Sequence, residues 1–424
     1  MWELLNRGRG GKRKMPRTSL SVDERWKLID SISKQVVLRG KYKHTLKDVI
    51  SDLSVRPMTG IPLALAVLFG FWAFFGAFAG FFTDGFAVPA FDDHFLPAIP
   101  SAFPGEGGPL YWIFVGDPGA PSCFEAFGVL TSGLFVAFGV VLPAIVAFYL
   151  VLTILEDTGY LPRLAVLVDT VFHKIGLHGF AIVPTILSLG CNVPAVAASR
   201  VLETKKQRFM MMSLLAVFIP CGAQIGVMEE LLPEYVPAIL AFLFFGYFVT
   251  GAVLSRLIPG RSPEILIDVP PYRSPIMKNV ATKTWARVSG FIKMAVPAVL
   301  GGIVVVNLLY LLGVIDWLAD ALEPIFVVWF GVPAVTVGAL VMAFLRKDMA
   351  VGMLGGMAAA GLLTTGELIT SVVLVSIYFP CLATFIMLWK EGGVRDLLKS
   401  LAILTVSFFV FGGLMHGIVA LAGV

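Results

Sequence analysis

The sequence predicts an all-α polytopic membrane protein made of two inverted repeats with re-entrant or broken helices. Three observations carry that reading. Of 424 residues, 58% are hydrophobic and only 14% charged, with a mean hydropathy of +0.88, well outside the range of a soluble globular domain. Long apolar runs alternate with loops of opposite charge sign, which reports orientation in a bilayer rather than nucleic-acid binding. Finally, Phe218-Ile219-Pro220-Cys221-Gly222-Ala223 and Tyr378-Phe379-Pro380-Cys381-Leu382-Ala383 share one pattern (aromatic, bulky, Pro, Cys, any, Ala) 160 residues apart.

Residues 1 to 58 hold 14 Lys/Arg against 6 Asp/Glu, and the first long apolar run begins at Ile61. No cleavable signal peptide is visible, and this segment is expected to stay in the cytoplasm. Residues 1 to 20 read as a basic tail flanking the membrane. Residues 21 to 54 show helical spacing (Trp26, Ile29, Ile32, Val36, then Leu46, Ile50, Leu53), with Asp23 as a candidate cap. Residues 59 to 126 hold the first span, about 61 to 82, and a loop with Asp84, Asp92, Asp93, Glu106, Asp117 and Glu125. Lys and Arg are absent from 57 to 162, so that loop is external by the positive-inside rule.

A first repeat is expected over 127 to 258. Its opening span, 127 to 154, ends on Glu156 and Asp157, read as helix-end charges with an exit-gate role as the second reading. The apolar segments 179 to 199 and 209 to 229 then pose a conflict, because the loops before and between them both carry Lys and Arg. It disappears if 179 to 199 enters and returns, turning near Gly190 to Pro194, since non-helical backbone at membrane depth is tolerated where protein buries it. Residues 209 to 229 then cross outward and 235 to 255 return. A basic cytoplasmic linker follows at 259 to 290. The second repeat, 291 to 424, is expected to place 291 to 313 as an outward span and 325 to 363 as a second hairpin. Its tip falls near Arg346, Lys347 and Asp348, and spans at 368 to 389 and 400 to 423 complete it. Inverted repeats with discontinuous helices at their interface are a transporter architecture, with the substrate near the midplane.

The chemistry concentrates at the breaks. Cys191, Cys221 and Cys381 each adjoin a helix-breaking or small residue, and thiolate sulfur with carbonyl oxygen suits a divalent first-row transition metal better than Mg2+ or Ca2+. Gly190, Pro194, Pro220 and Pro380 supply the breaks. Asn192 is an auxiliary ligand candidate, or an amide that closes the hairpin. Asp348 at membrane depth is expected to pair with Arg346 or Lys347. The four cysteines are too scattered for a disulfide framework. No G-x-x-x-x-G-K-[ST] loop, G-x-S-x-G elbow or H-E-x-x-H is present, so the chain reads as a transporter and not an enzyme.

With these residues in view, the sequence resembles the membrane part, with its two gate domains, of the ferrous iron transport protein B (FeoB) family. The matching stretches are Leu155-Glu156-Asp157-Thr158-Gly159-Tyr160 with Arg163 and Asp169, and Gly190-Cys191-Asn192-Val193-Pro194-Ala195 with Ser199-Arg200-Val201-Leu202-Glu203. Further on come Pro270-Pro271-Tyr272-Arg273, Thr284-Trp285-Ala286-Arg287-Val288, Phe344-Leu345-Arg346-Lys347-Asp348 and Phe379-Pro380-Cys381-Leu382-Ala383-Thr384. The resemblance implies uptake of Fe2+, as substrate and not as a permanently bound cofactor, across the cytoplasmic (inner) membrane of a prokaryote, with Cys191 and Cys381 lining the path. It implies as partners the lipid bilayer, a GTPase on a separate chain, a small FeoA-like accessory protein and a homo-oligomer, with no nucleic acid. Two departures stand out: the family's usual GTP-binding domain has no counterpart in these residues, and its common Ser-Cys-Ser-Ala-Arg is Pro220-Cys221-Gly222-Ala223-Gln224 here. Another divalent metal, a nucleoside-like solute, or a non-transporting scaffold for a GTPase partner remain the alternatives.

Overall fold

The computed structural model describes residues 26–27, 29–33, 46–95, 97–98, 108–116, 126, 128–260, 270–344 and 347–423, and every element assigned among them is helical. The chain divides into Met1–Leu46 and Lys47–Val424. In the first unit, residues 26, 27 and 29 to 33 are helical with exposed side chains, in line with the helical spacing read there; the basic tail lies outside the described residues.

A short helix α1 (Leu46–Val55), in the second unit from Lys47 onward, leads into α2 (Pro57–Phe82), whose proline sits at the first helical position, where its missing N–H costs nothing. Only 11% of the apolar window of this run is buried, with Phe69 and Phe81 both more than 70% exposed, as suits a helix facing lipid. The sequence predicts a loop after residue 82, yet wide helical turns carry the run on through Thr83–Ala87 and Ala90–Phe95. After the short α3 (Pro109–Phe114), similar wide turns over Val129–Gly133 and Phe135–Val141 open into α4 (Leu142–Asp157).

From α4 onward, one order of elements occurs twice. In the first half, α4 is followed by α5 (Tyr160–Lys174), α6 (Ile182–Gly190), α7 (Asn192–Ala198), α8 (Lys205–Phe218), α9 (Gly222–Leu231) and α10 (Val236–Leu257). In the second, α11 (Met277–Leu311) is followed by α12 (Val314–Phe330), α13 (Val335–Ala343), α14 (Lys347–Ala359), α15 (Thr365–Ile377) and α16 (Leu382–Ala422). Helix α16 is interrupted at Gly393, whose φ of 73° and ψ of 178° separate two parts matching α9 and α10. The match extends to angles: α5 meets the segment ending in α6 at 103°, and the end of α12 meets α13 at 101°.

Physical length separates spanning from non-spanning pieces. Among the described residues, five helical runs are long and apolar enough to cross a bilayer, or up to seven if each bent pair is one span. Helices α6 and α7, of 9 and 7 residues, are too short to cross one and pack against each other, as a hairpin requires. Helices α13 and α14 do the same. The second hairpin is shorter than the expected 325 to 363, because Gly331, with φ of 64°, ends α12 and turns the chain. The expected straight spans at 209 to 229 and 368 to 389 are also each interrupted, at 219–221 and 378–381.

Packing interlocks the halves. Opening helices α4 and α11 lie against each other, α7 packs on α16, and α14 packs on α9, so each hairpin leans on the broken helix of the opposite half. One continuous apolar core runs through both, from Phe71 and Phe148 to Phe330 and Phe408.

Candidate functional site

All three described cysteines occupy the same structural position: the last non-helical residue before a half-helix. Cys191 is a single extended residue (φ −154°, ψ 131°) between α6 and α7. Cys221 precedes α9 and Cys381 precedes α16, both with extended ψ. The local sequence explains the breaks at Cys221 and Cys381. Pro220 and Pro380 have no backbone N–H to donate and force the residue before them out of the helical region; the helices accordingly stop at Phe218 and Ile377. At the first hairpin, Pro194 falls within the first turn of α7, where proline is accepted.

These breaks converge. Cys191, Cys221 and Cys381 line one cavity of about 170 Å³, together with Gly190, Asn192, Pro194, Lys347 and the aromatic side chains of Phe75, Phe148, Tyr149 and Phe291. The thiols are not joined in disulfides. Cys381 lies 3.2 Å from the Thr384 hydroxyl. Among the described residues, no three His, Cys, Asp or Glu side chains are gathered closely enough to hold a metal ion. The cysteines therefore share a cavity without forming a closed coordination cage.

Two glycines permit the convergence. A Cβ on Gly190 would come within 2.4 Å of the Phe148 ring, and one on Gly222 within 3.1 Å of the Leu189 carbonyl oxygen, so the hairpin tip sits directly on the start of α9. Asn192 ties the tip down. Its Oδ1 accepts from Ser188 and its Nδ2 donates to the Ile219 carbonyl at 3.1 Å, across the break between α8 and α9. Both ends of the amide are thus engaged, which is the hairpin-closing geometry rather than that of an open ligand.

In the sequence Lys347 reads only as part of a charged tip. It is the one charged side chain in the described lining of the cavity, 4% exposed, with Nζ donating to the Ser376 carbonyl at 2.8 Å. Arg346 and the side chain of Asp348 lie outside the described residues. A signal was present: Lys347 opens α14 as Asn192 opens α7, but the loops of the two halves differ in length, and an offset of 160 residues hides the correspondence.

Glu156 and Asp157 are not among the residues that line the cavity. At the end of α4 they meet the start of α11: Asp157 pairs with Lys283 at 2.6 Å, and Glu156 with Arg287 at 2.6 Å. Arg163, which in the sequence stands out only as part of a motif, is completely buried. It donates to the carbonyls of Gly159 (2.5 Å) and Pro270 (2.7 Å) and to Ser51, and stacks 3.7 Å over Tyr272. Its role is to clamp α1, α5 and the Pro270–Arg273 stretch together.

Fold and site together define a class: a polytopic helical membrane protein with two like halves, hairpins in each, and a thiol-bearing cavity at their helix breaks. Comparison with known proteins narrows it. Residues 138–232 and 292–395 match the family model Gate, described as nucleoside recognition, and residues 236–287 match that of the ferrous iron transport protein B C terminus. A Methanocaldococcus jannaschii protein named Fe(2+) transporter FeoB is 26% identical over 88% of this chain and 58% of its own length. A Staphylococcus aureus Fe(2+) transporter FeoB is 30% identical over 44% of this chain and 30% of its own. A Porphyromonas gingivalis Fe(2+) transport protein A/Fe(2+) transporter FeoB fusion protein is 28% identical over 69% of this chain and 34% of its own. A solved structure of a CNTnw variant in an outward-facing state covers 87% of this chain and 98% of that one, with a TM-score of 0.42 and 15% identity, too loose a likeness to carry weight. The resemblance carried by the motifs stands: the chain matches the membrane part of the FeoB family, and spans between 30% and 58% of the length of these curated relatives.

Proposed function

We propose that this chain carries Fe2+ into the cytoplasm of a prokaryote through the cavity between its two halves, with Cys191, Cys221 and Cys381 as the ligands the ion meets. The observation that carries the reading is the convergence of three cysteines, each at a helix break and drawn from both halves, on one cavity. A borderline-soft dication leaving water needs compensating donors; thiolate sulfur and the exposed carbonyls of broken helices supply them. The lack of a closed cage suits transit, since an ion bound too tightly does not leave. Thiols bind as thiolates, so loading releases protons and is favoured as pH rises.

A nucleoside-like solute fits the lining less well. Apart from the thiols, its polar side chains are Asn192, Lys347 and Tyr149, and the Asn192 amide is already engaged at both ends. The name of the Porphyromonas gingivalis relative supports a FeoA-like partner. A GTPase acting from a separate chain and a homo-oligomer are further parts of the proposal, as are a cytoplasmic N-terminus and the exit-side placing of Glu156 and Asp157. The test is influx into proteoliposomes loaded with a ferrous chelator under anaerobic conditions. Wild type should accumulate Fe2+, and Cys191→Ser and Cys381→Ser should each slow it about tenfold or more. Influx indifferent to both changes, or no influx at all, sinks the reading.

A further inference from the structure

Lys347 and Asn192 occupy one position in the two halves. Each is the first residue of the second hairpin helix, each is almost fully buried, and each reaches across to a carbonyl at the end of the following broken helix: Asn192 to Ile219 after α8, Lys347 to Ser376 in the last turn of α15. The carbonyl end of a half-helix carries partial negative charge and is where a cation is held in transporters with discontinuous helices. In one half that end is satisfied by a neutral amide. In the other it is satisfied by an ammonium, a compact point charge on a flexible stem.

We propose that Lys347 is a resident competitor for the transported cation: its ammonium holds the carbonyl end of α15 while the cavity is empty and yields it to the incoming dication. This rests on the transport reading above. Two positive groups share the cavity poorly, so the ammonium must withdraw when the ion arrives, and its return helps expel the ion. The neighbouring structure offers it somewhere to go. Gln224 is fully buried and fixed by Nε2 to the Ser376 hydroxyl at 2.7 Å, while its Oε1 is a buried acceptor with no hydrogen-bond partner among the described residues. An orphaned buried acceptor is costly unless another state of the protein uses it. The same residue, Ser376, therefore anchors both the ammonium and its second acceptor.

The test uses the whole chain in nanodiscs, titrated anaerobically with Co2+ and read by thiolate-to-metal charge-transfer absorption, alongside Fe2+ influx in proteoliposomes. Lys347→Met and Lys347→Asn, the latter giving this half the residue of the other, should bind Co2+ about tenfold or more tighter than wild type and turn over Fe2+ more slowly at saturation. Gln224→Leu, which keeps the ammonium and removes its second acceptor, should weaken Co2+ binding severalfold, and this holds the proposal to account if the neutral variants do not fold. Neutral variants that bind Co2+ no tighter, or a Gln224→Leu affinity equal to wild type, overturn the assignment. Wild-type Fe2+ influx decides the transport reading separately: influx with unchanged Co2+ affinities removes only the role of Lys347.

Discussion

At the scale of single residues, the site depends on small groups where larger ones cannot fit. Gly190→Ala places a methyl 2.4 Å from the Phe148 ring, in a tip already packed on α9. Relieving that overlap costs about 1–3 kcal/mol, so thermal unfolding in detergent should show a clear drop in midpoint, with lost thiol convergence as the accompanying defect. Arg163 is the opposite case, a large charged group with no room to spare. Arg163→Met would leave the Gly159 and Pro270 carbonyls without their donor, at roughly 1–3 kcal/mol each. The unfolding midpoint should fall further than for any exposed arginine, and an unchanged midpoint would contradict the clamp. What sequence showed of these residues was uneven. Pro220, Cys221, Pro380 and Cys381 were legible, because proline ends a helix by a local steric rule and a repeated Pro-Cys pair is visible in the letters. Lys347 was not, because its meaning lies in the Ser376 carbonyl it reaches, 29 residues away in the chain.

At the scale of elements, ends and joints are held by ion pairs of different weight. Arg200, just beyond the first hairpin, makes a bidentate pair with Glu391 beside the Gly393 interruption of α16, at 2.6 and 2.8 Å. The Glu391 side chain is only 8% exposed but Arg200 is largely open to solvent, which screens the pair from its side and leaves it worth about 0.2–1 kcal/mol to stability. A double-mutant cycle with Arg200→Gln and Glu391→Gln should return a coupling in that range that shrinks as salt is added; a coupling several times larger would mean that the joint carries more of the fold than its exposure implies. The first hairpin is readable from charge. Basic loops on both sides of 179 to 199 left no room for a full crossing, and α6 and α7 are too short to make one. The bend between α12 and α13 is marked in the letters by Gly331 and Pro333, a glycine with positive φ of 64° and a proline shortly after it, but it lies in an apolar run where no charge changes, and the charge reading of the hairpin passes over it.

At the scale of the molecule, the repeated order of elements matters because it brings equivalent breaks from two halves to one place. Each hairpin packs on the broken helix of the other half, so the cavity belongs to neither alone. Sequence offered the repeat through one motif and an offset, but not this exchange of partners, which is a property of packing. The proposed transport stands on the three thiols lining a single Fe2+ path. The most direct measurement is alkylation of Cys191, Cys221 and Cys381 by a small thiol reagent, read residue by residue by mass spectrometry, under anaerobic conditions with and without Fe2+. If the thiols share one path, Fe2+ slows modification of all three together and Mg2+ does not. Protection of one cysteine alone, or rates indifferent to Fe2+, would contradict it.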